Sequence, residues 1–136
     1  MNKKSKKLFM QITSLLLIFI LSITIFKEEY LFGWISHNYT FFLGLSIMAI
    51  LLSFLNKNKT RLYLTLSLTL GLFIANYIGK YHRLYNIGKI SDAMDAQQVA
   101  SLHLNYAFVF WIMLIGLSLI IGLVLDWRKK PITWYN

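Results

Sequence analysis

The chain of 136 residues contains no cysteine, one proline, seven glycines and only five acidic side chains. Without cysteine it has no disulfides, thiolate zinc sites, lipobox-type lipidation or cysteine nucleophile. The lone proline, Pro131, lies in the C-terminal tail, so long uninterrupted helices are expected. Charged residues make up 14% of the chain, against about a quarter in an ordinary soluble domain. Hydrophobic residues make up 57%, and mean hydropathy is +0.58. That composition excludes intrinsic disorder and is too apolar for a surface solvated on every side.

What is present resolves into four apolar runs: Leu8 to Phe26, Tyr39 to Leu55, Leu62 to Ile78 and Tyr106 to Leu125. Each is close to the ~20 residues that carry a helix across a ~30 Å hydrocarbon layer. None contains Lys, Arg, Asp, Glu or His, and none alternates polar with apolar residues as a membrane β-barrel would. The expected fold is an all-α integral membrane protein, a bundle of four transmembrane helices in two antiparallel hairpins. It forms a single membrane domain, with a long loop over 79–105 and a basic tail over 126–136. The basic segment 3–7 followed by the first run resembles a signal peptide. The run exceeds the usual apolar region, however, and no small-x-small cleavage site precedes Lys27, so the expectation is an uncleaved first helix.

Charge supplies the orientation. With both termini cytoplasmic, ten Lys and Arg lie inside and four outside, and the reverse orientation inverts those numbers. The positive-inside rule selects both termini in, at the plasma membrane of a bacterium whose Lys, Asn, Ile and Tyr bias suits an AT-rich genome. The basic tails suit anionic headgroups, which accounts for the net charge of +9 without nucleic acid. Aromatic residues at the run boundaries, including Tyr30, Trp34, Tyr39, Tyr77, Tyr81, Tyr106, Trp127, Trp134 and Tyr135, read as interfacial anchors.

Helix packing in lipid depends on close approach of small residues. Ser67, Gly71, Ala75 and Gly79 recur every four residues and make the third helix the expected centre of the bundle; Gly116, Ser118 and Gly122 offer a shorter version on the fourth. Gln11 is expected near the headgroups, without structural weight, and Asn76 as a bond across helices or to interfacial water. No span carries an ionisable residue or an internal proline, which argues against ion-coupled transport.

The loop over 79–105 is the remaining place for chemistry. Tyr77, Tyr81 and Tyr85 continue the helical register, Gly88 suits a left-handed helix end, and Asp95 with Gln98 suits a capping box. The third and fourth helices are therefore expected to project beyond the outer surface, the fourth starting near Asp95. Projection sets His82 and His103 at similar heights, a candidate metal or haem site that lacks any recognised ligand spacing. Lys80, His82, Arg83, Asp92 and Asp95 are candidate contacts for a partner or a headgroup, with Arg83 pairing to Asp92 or Asp95. No nucleophile elbow, phosphate loop or dinucleotide fingerprint occurs, so no catalytic residue is assigned.

The expected function is a non-enzymatic membrane interaction protein, with a protein partner or a second copy in the membrane. It would be an accessory subunit of a membrane complex or a protective protein of the bacteriocin-immunity kind. A small oligomeric transporter or permeation protein for lipid-linked or apolar solutes is the alternative, and a metal- or haem-associated protein the next.

Overall fold

A computed structural model of the chain describes residues 1–128, all helical apart from turns and linkers. The helices are α1 (Lys3–Ile23), α2 (Tyr30–His37), α3 (Tyr39–Leu51), α4 (Asn58–Leu68), α5 (Leu70–Ile87), α6 (Ala96–Leu102) and α7 (Ala107–Arg128). Two of them, α1 and α7, are long and apolar enough to cross a membrane. The bent pairs α2–α3 and α4–α5 raise that number to four if each pair is one span. Apolar side chains on α1 and α7 such as Leu16, Ile20, Met113 and Ile120 face outward, so a membrane is the environment that suits this surface. The interfacial positions Trp134 and Tyr135, with most of the basic C-terminal tail, lie outside the described residues.

The expectation of uninterrupted helices is corrected at three places, none of which needs proline. Between α2 and α3 the chain turns by 89° at Asn38, whose side-chain amide donates to the Trp34 carbonyl at 3.0 Å. Between α4 and α5 it bends by 40° at Thr69. There the Thr69 hydroxyl donates to the Thr65 carbonyl at 2.8 Å, and the Thr69 amide donates to the same oxygen at 3.0 Å. Back-bonding of this kind opens a helix on one side and bends it.

The third break overturns the continuous fourth helix starting near Asp95. The capping box is present: Gln98 N donates to Asp95 Oδ1 at 2.8 Å and Asp95 N to Gln98 Oε1 at 3.0 Å. It starts only the short α6, and the helix stops at His103. Asn105 Oδ1 then accepts from Ala107 N at 2.9 Å and starts α7 afresh. On the other side of the loop α5 does run past Ile78, to Ile87. Gly88 is not left-handed, as its φ is −63°; the end unwinds through right-handed three-residue turns, Lys89 N to Asn86 O and Ile90 N to Ile87 O. The helix over the second apolar run is also shorter than the run, since α3 ends at Leu51 and the chain turns through Asn56, a residue at φ 57° that tolerates the left-handed region.

Two helices borrow their N-caps from distant sequence. Neither Glu29 before α2 nor Lys57 before α4 caps its helix with its side chain. Instead Leu31 N donates to Asn76 Oδ1 at 3.0 Å. Asp126, near the end of α7, accepts from Lys59 N at 3.0 Å, Thr60 N at 2.9 Å and the Thr60 hydroxyl at 2.7 Å. The first amides of a helix have no partner within it, so each bond satisfies an orphan donor and ties two elements together.

The tight seam of the fold runs where α7 lies antiparallel along α4 and α5. A Cβ added at Gly79 would sit 2.5 Å from Ala107 Cβ, and one added at Gly122 would meet the Thr60 backbone. Between them Trp111, fully buried, donates its indole N–H to the Ser67 carbonyl at 3.0 Å. Trp34, expected as an interfacial anchor, instead belongs to a cluster with Phe41, Phe108 and Trp111, its ring 4.5 Å from that of Phe108.

Candidate functional site

At the loop end of the bundle, where α1 leads to α2 and α5 to α6, the sequence-predicted residues are dispersed. Ser67, Gly71, Ala75 and Gly79 are all buried, and a Cβ added at Gly71 would lie 3.7 Å from the Leu114 side chain on α7. Gly122 is buried against α4, whereas Ser118 is half-buried and Gly116 faces open space, with nothing within 4 Å of an added Cβ. Gly116 therefore lies off the seam, because it projects from a different side of α7 than Gly122.

His82 is exposed on α5, its ring 5.6 Å from that of Tyr106 and 6.1 Å from that of Phe110. His103 is exposed at the end of α6. Among the described residues no three His, Asp or Glu side chains converge as a metal site. Asp95 is occupied as the α6 cap, and Asp92 is exposed. The expected Arg83 pairing with Asp92 or Asp95 does not form. The ion pair among the described residues is Lys80 with Glu29, at 3.2 Å.

Glu29 is the centre of the polar chemistry at this end. One carboxylate oxygen accepts from Asn76 Nδ2 at 3.1 Å, the other from Lys80. The Asn76 bond holds its pKa below the ordinary glutamate value; partial burial opposes this and Lys80 adds to it. The sign follows from linkage. The carboxylate contributes stability above its unfolded-state pKa and loses that contribution as pH falls through the lower folded-state value. An acid titration from about pH 6 to 3 is expected to lower the melting temperature of the wild type more steeply than that of Glu29→Gln. Parallel acid limbs would refute a stabilising Glu29 carboxylate.

The opposite end, near the N-terminus and the end of α7, holds the stronger site. Gln11, expected to be inert near the headgroups, is buried. Its Nε2 donates to the Ala49 carbonyl and to Thr65 Oγ1, both at 3.0 Å, and its Oε1 accepts from Ser53 at 3.2 Å. One side chain thus joins α1, α3, α4 and the turn after α3, because a buried amide must spend its donors and acceptor internally. Beside it a groove of about 620 Å³ opens between α1 and α4, helices that meet only sparsely. Its α1 wall carries Lys7, Met10, Gln11 and Ser14, and its α4 wall includes Asn58, Arg61, Leu62, Thr65 and Thr69. Both sets follow the three- and four-residue spacing of one helix face.

Sequence reasoning missed this groove. Its signal was available on α1, where Lys7, Gln11 and Ser14 align, but the facing wall is set by the course of α4. Arg61 is only 9% exposed, and among the described residues its guanidinium has no hydrogen-bond or carboxylate partner. None of its nitrogens is fully enclosed, so the guanidinium head opens onto the groove while the rest of the side chain is covered. No family model, curated protein or solved structure matches the chain.

Proposed function

We propose that the chain is a four-span plasma-membrane protein, both termini cytoplasmic, that works by binding rather than by catalysis, with the α1–α4 groove as its binding element. The observation that carries this reading is Arg61, a largely covered residue whose guanidinium is unpaired among the described residues and opens onto the groove. The excess of Lys and Arg on the side of the two termini supports the orientation, which would put the groove at the cytoplasmic leaflet. Its role would be that of an accessory component of a membrane complex; a protective protein of the bacteriocin-immunity type is the same role with a toxin's membrane target as partner.

Two experiments test this reading. Single cysteines at Ser5 and Ser91 are free of background because the chain has none of its own. A membrane-impermeant thiol reagent is expected to label position 91 from outside and to leave position 5 untouched; the opposite pattern overturns the orientation. Purification from native membranes in mild detergent is expected to retain a stoichiometric protein partner, and a clean monomer would refute the accessory role.

The bend at Thr69, on the groove wall, favours one second reading, since interrupted helices beside a ligand site are a transporter feature. In that reading the groove passes a lipid-linked solute. Proteoliposomes would then exchange a fluorescent anionic lipid between leaflets faster than protein-free vesicles, and equal rates would remove this alternative.

A further inference from the structure

The lining of the groove is divided by chemistry. Its hydroxyls are spent on their own helices: Ser14 donates to the Met10 and Gln11 carbonyls at 3.0 Å, and Thr65 and Thr69 to the Arg61 and Thr65 carbonyls at 2.8 Å. Gln11 is spent on α3, α4 and the turn after α3. Met10, Leu62 and Leu66 are exposed apolar walls. What remains is the exposed Asn58 and three cations: Lys7, Lys59 and Arg61 line the groove and, among the described residues, bond to no carboxylate. Asp126 does not neutralise them by contact, because its oxygens accept from the Lys59 and Thr60 amides and the Thr60 hydroxyl.

We infer that this groove binds an anionic phospholipid, with Arg61 and the flanking Lys7 and Lys59 on the phosphate and Met10, Leu62 and Leu66 along the start of an acyl chain. A guanidinium matches a phosphate with two parallel hydrogen bonds, and the lysines supply further charge. From Asn58 to Thr69 the groove follows α4 for about 16 Å, half the thickness of a hydrocarbon layer. A headgroup and the upper part of one chain fit that length. The exposed apolar walls favour a lipid over a free anion, which would leave them unused. The inference rests on the reading of the groove as the binding element of a membrane protein.

The test uses the full chain in non-ionic detergent, titrated with short-chain phosphatidylglycerol, short-chain phosphatidylcholine and inorganic phosphate, with bound species counted by native mass spectrometry. One phosphatidylglycerol is expected to bind in preference to phosphatidylcholine. Arg61→Gln is expected to weaken it about tenfold or more, Arg61→Lys less, and Lys89→Gln, at the other end of the bundle, not at all. If Arg61→Gln fails to elute as a folded monomer, the double variant Lys7→Gln with Lys59→Gln reads the same groove from exposed and half-buried positions. Equal binding of the two lipids, or affinity unchanged in every groove variant, overturns the inference. Phosphate binding as tightly as phosphatidylglycerol would show an anion site without lipid recognition and also overturns it. Lipid selectivity without a co-purifying partner would leave this inference standing and defeat only the accessory role.

Discussion

Leucine at Gly122 is expected to force α7 off α4 and to destabilise the bundle by about 3 kcal/mol, at the upper end of the cost of overpacking. The atoms that a side chain would meet there are the Thr60 N, Cα and Cβ. These are backbone or next to it and have no rotamer into which to retreat. Separation of the helices at this point also strains the Asp126 cap, which lies one helical turn further along α7 and holds the first amides of α4. Gly79→Leu is expected to act alike at the other end of the seam, where the obstacle is Ala107 N, Cα and Cβ. Gly116→Leu is the control. Nothing lies within 4 Å of an added Cβ there, and replacing a mid-helix glycine gains up to about 1 kcal/mol in helix propensity. Thermal unfolding in detergent, followed by tryptophan fluorescence, is expected to drop by about 10 °C for Gly122→Leu and to hold or rise for Gly116→Leu. Equal melting temperatures for the two would mean that the seam does not depend on close approach at Gly122.

The same pair of glycines marks how far the sequence could be read. Four-residue spacing on the third run located Gly71 and Gly79, and apolar runs located most of α1, α3, α4 and α7 and half of α5. A spacing rule on the fourth run could not separate Gly122 from Gly116, because which side of α7 meets α4 is a tertiary fact. The bends escaped for a related reason. Hydropathy averages over a window, so Thr69 is invisible between apolar neighbours, and its hydroxyl bends the chain only by taking a carbonyl of its own helix. Asn38 and Asn105 act likewise through local side-chain bonds. The Asp95–Gln98 box was legible because it is contained in four residues, yet its presence said nothing about how far the helix would run. Gln11 was undervalued and Asp126 passed over because their partners lie about 40 to 70 residues away in sequence. Arg61 was counted only as a positive charge for orientation. Its burial beside α1 depends on α1 and α4 facing each other without closing, which no single segment encodes.

Asn76→Leu is expected to cost about 2 kcal/mol, although the substitution keeps the branched heavy-atom skeleton of the side chain and places an apolar residue in an apolar run. Asn76 is 1% exposed, and all its described bonds reach back to one corner of the fold: Oδ1 accepts from Leu31 N and Nδ2 donates to Glu29. Leucine leaves the Leu31 amide, itself fully buried, without an acceptor, and an unmade buried hydrogen bond costs more than a made one contributes. Glu29 would keep only Lys80. A double-mutant cycle separates these losses. Once Asn76 is gone, Glu29→Gln has less left to remove, so Asn76→Leu with Glu29→Gln is expected to fall short of the sum of the single variants by about 0.5 kcal/mol or more. Amide hydrogen exchange supplies the local reading: Leu31 is expected to lose protection in Asn76→Leu, while the Gly33 amide, held by the Glu29 carbonyl at 2.8 Å, keeps more of its own. Strict additivity in the cycle, together with unchanged exchange at Leu31, would mean that α2 does not take its N-cap from α5. Uniform loss of protection across α2 would instead assign the effect to general loosening of the core around Asn76.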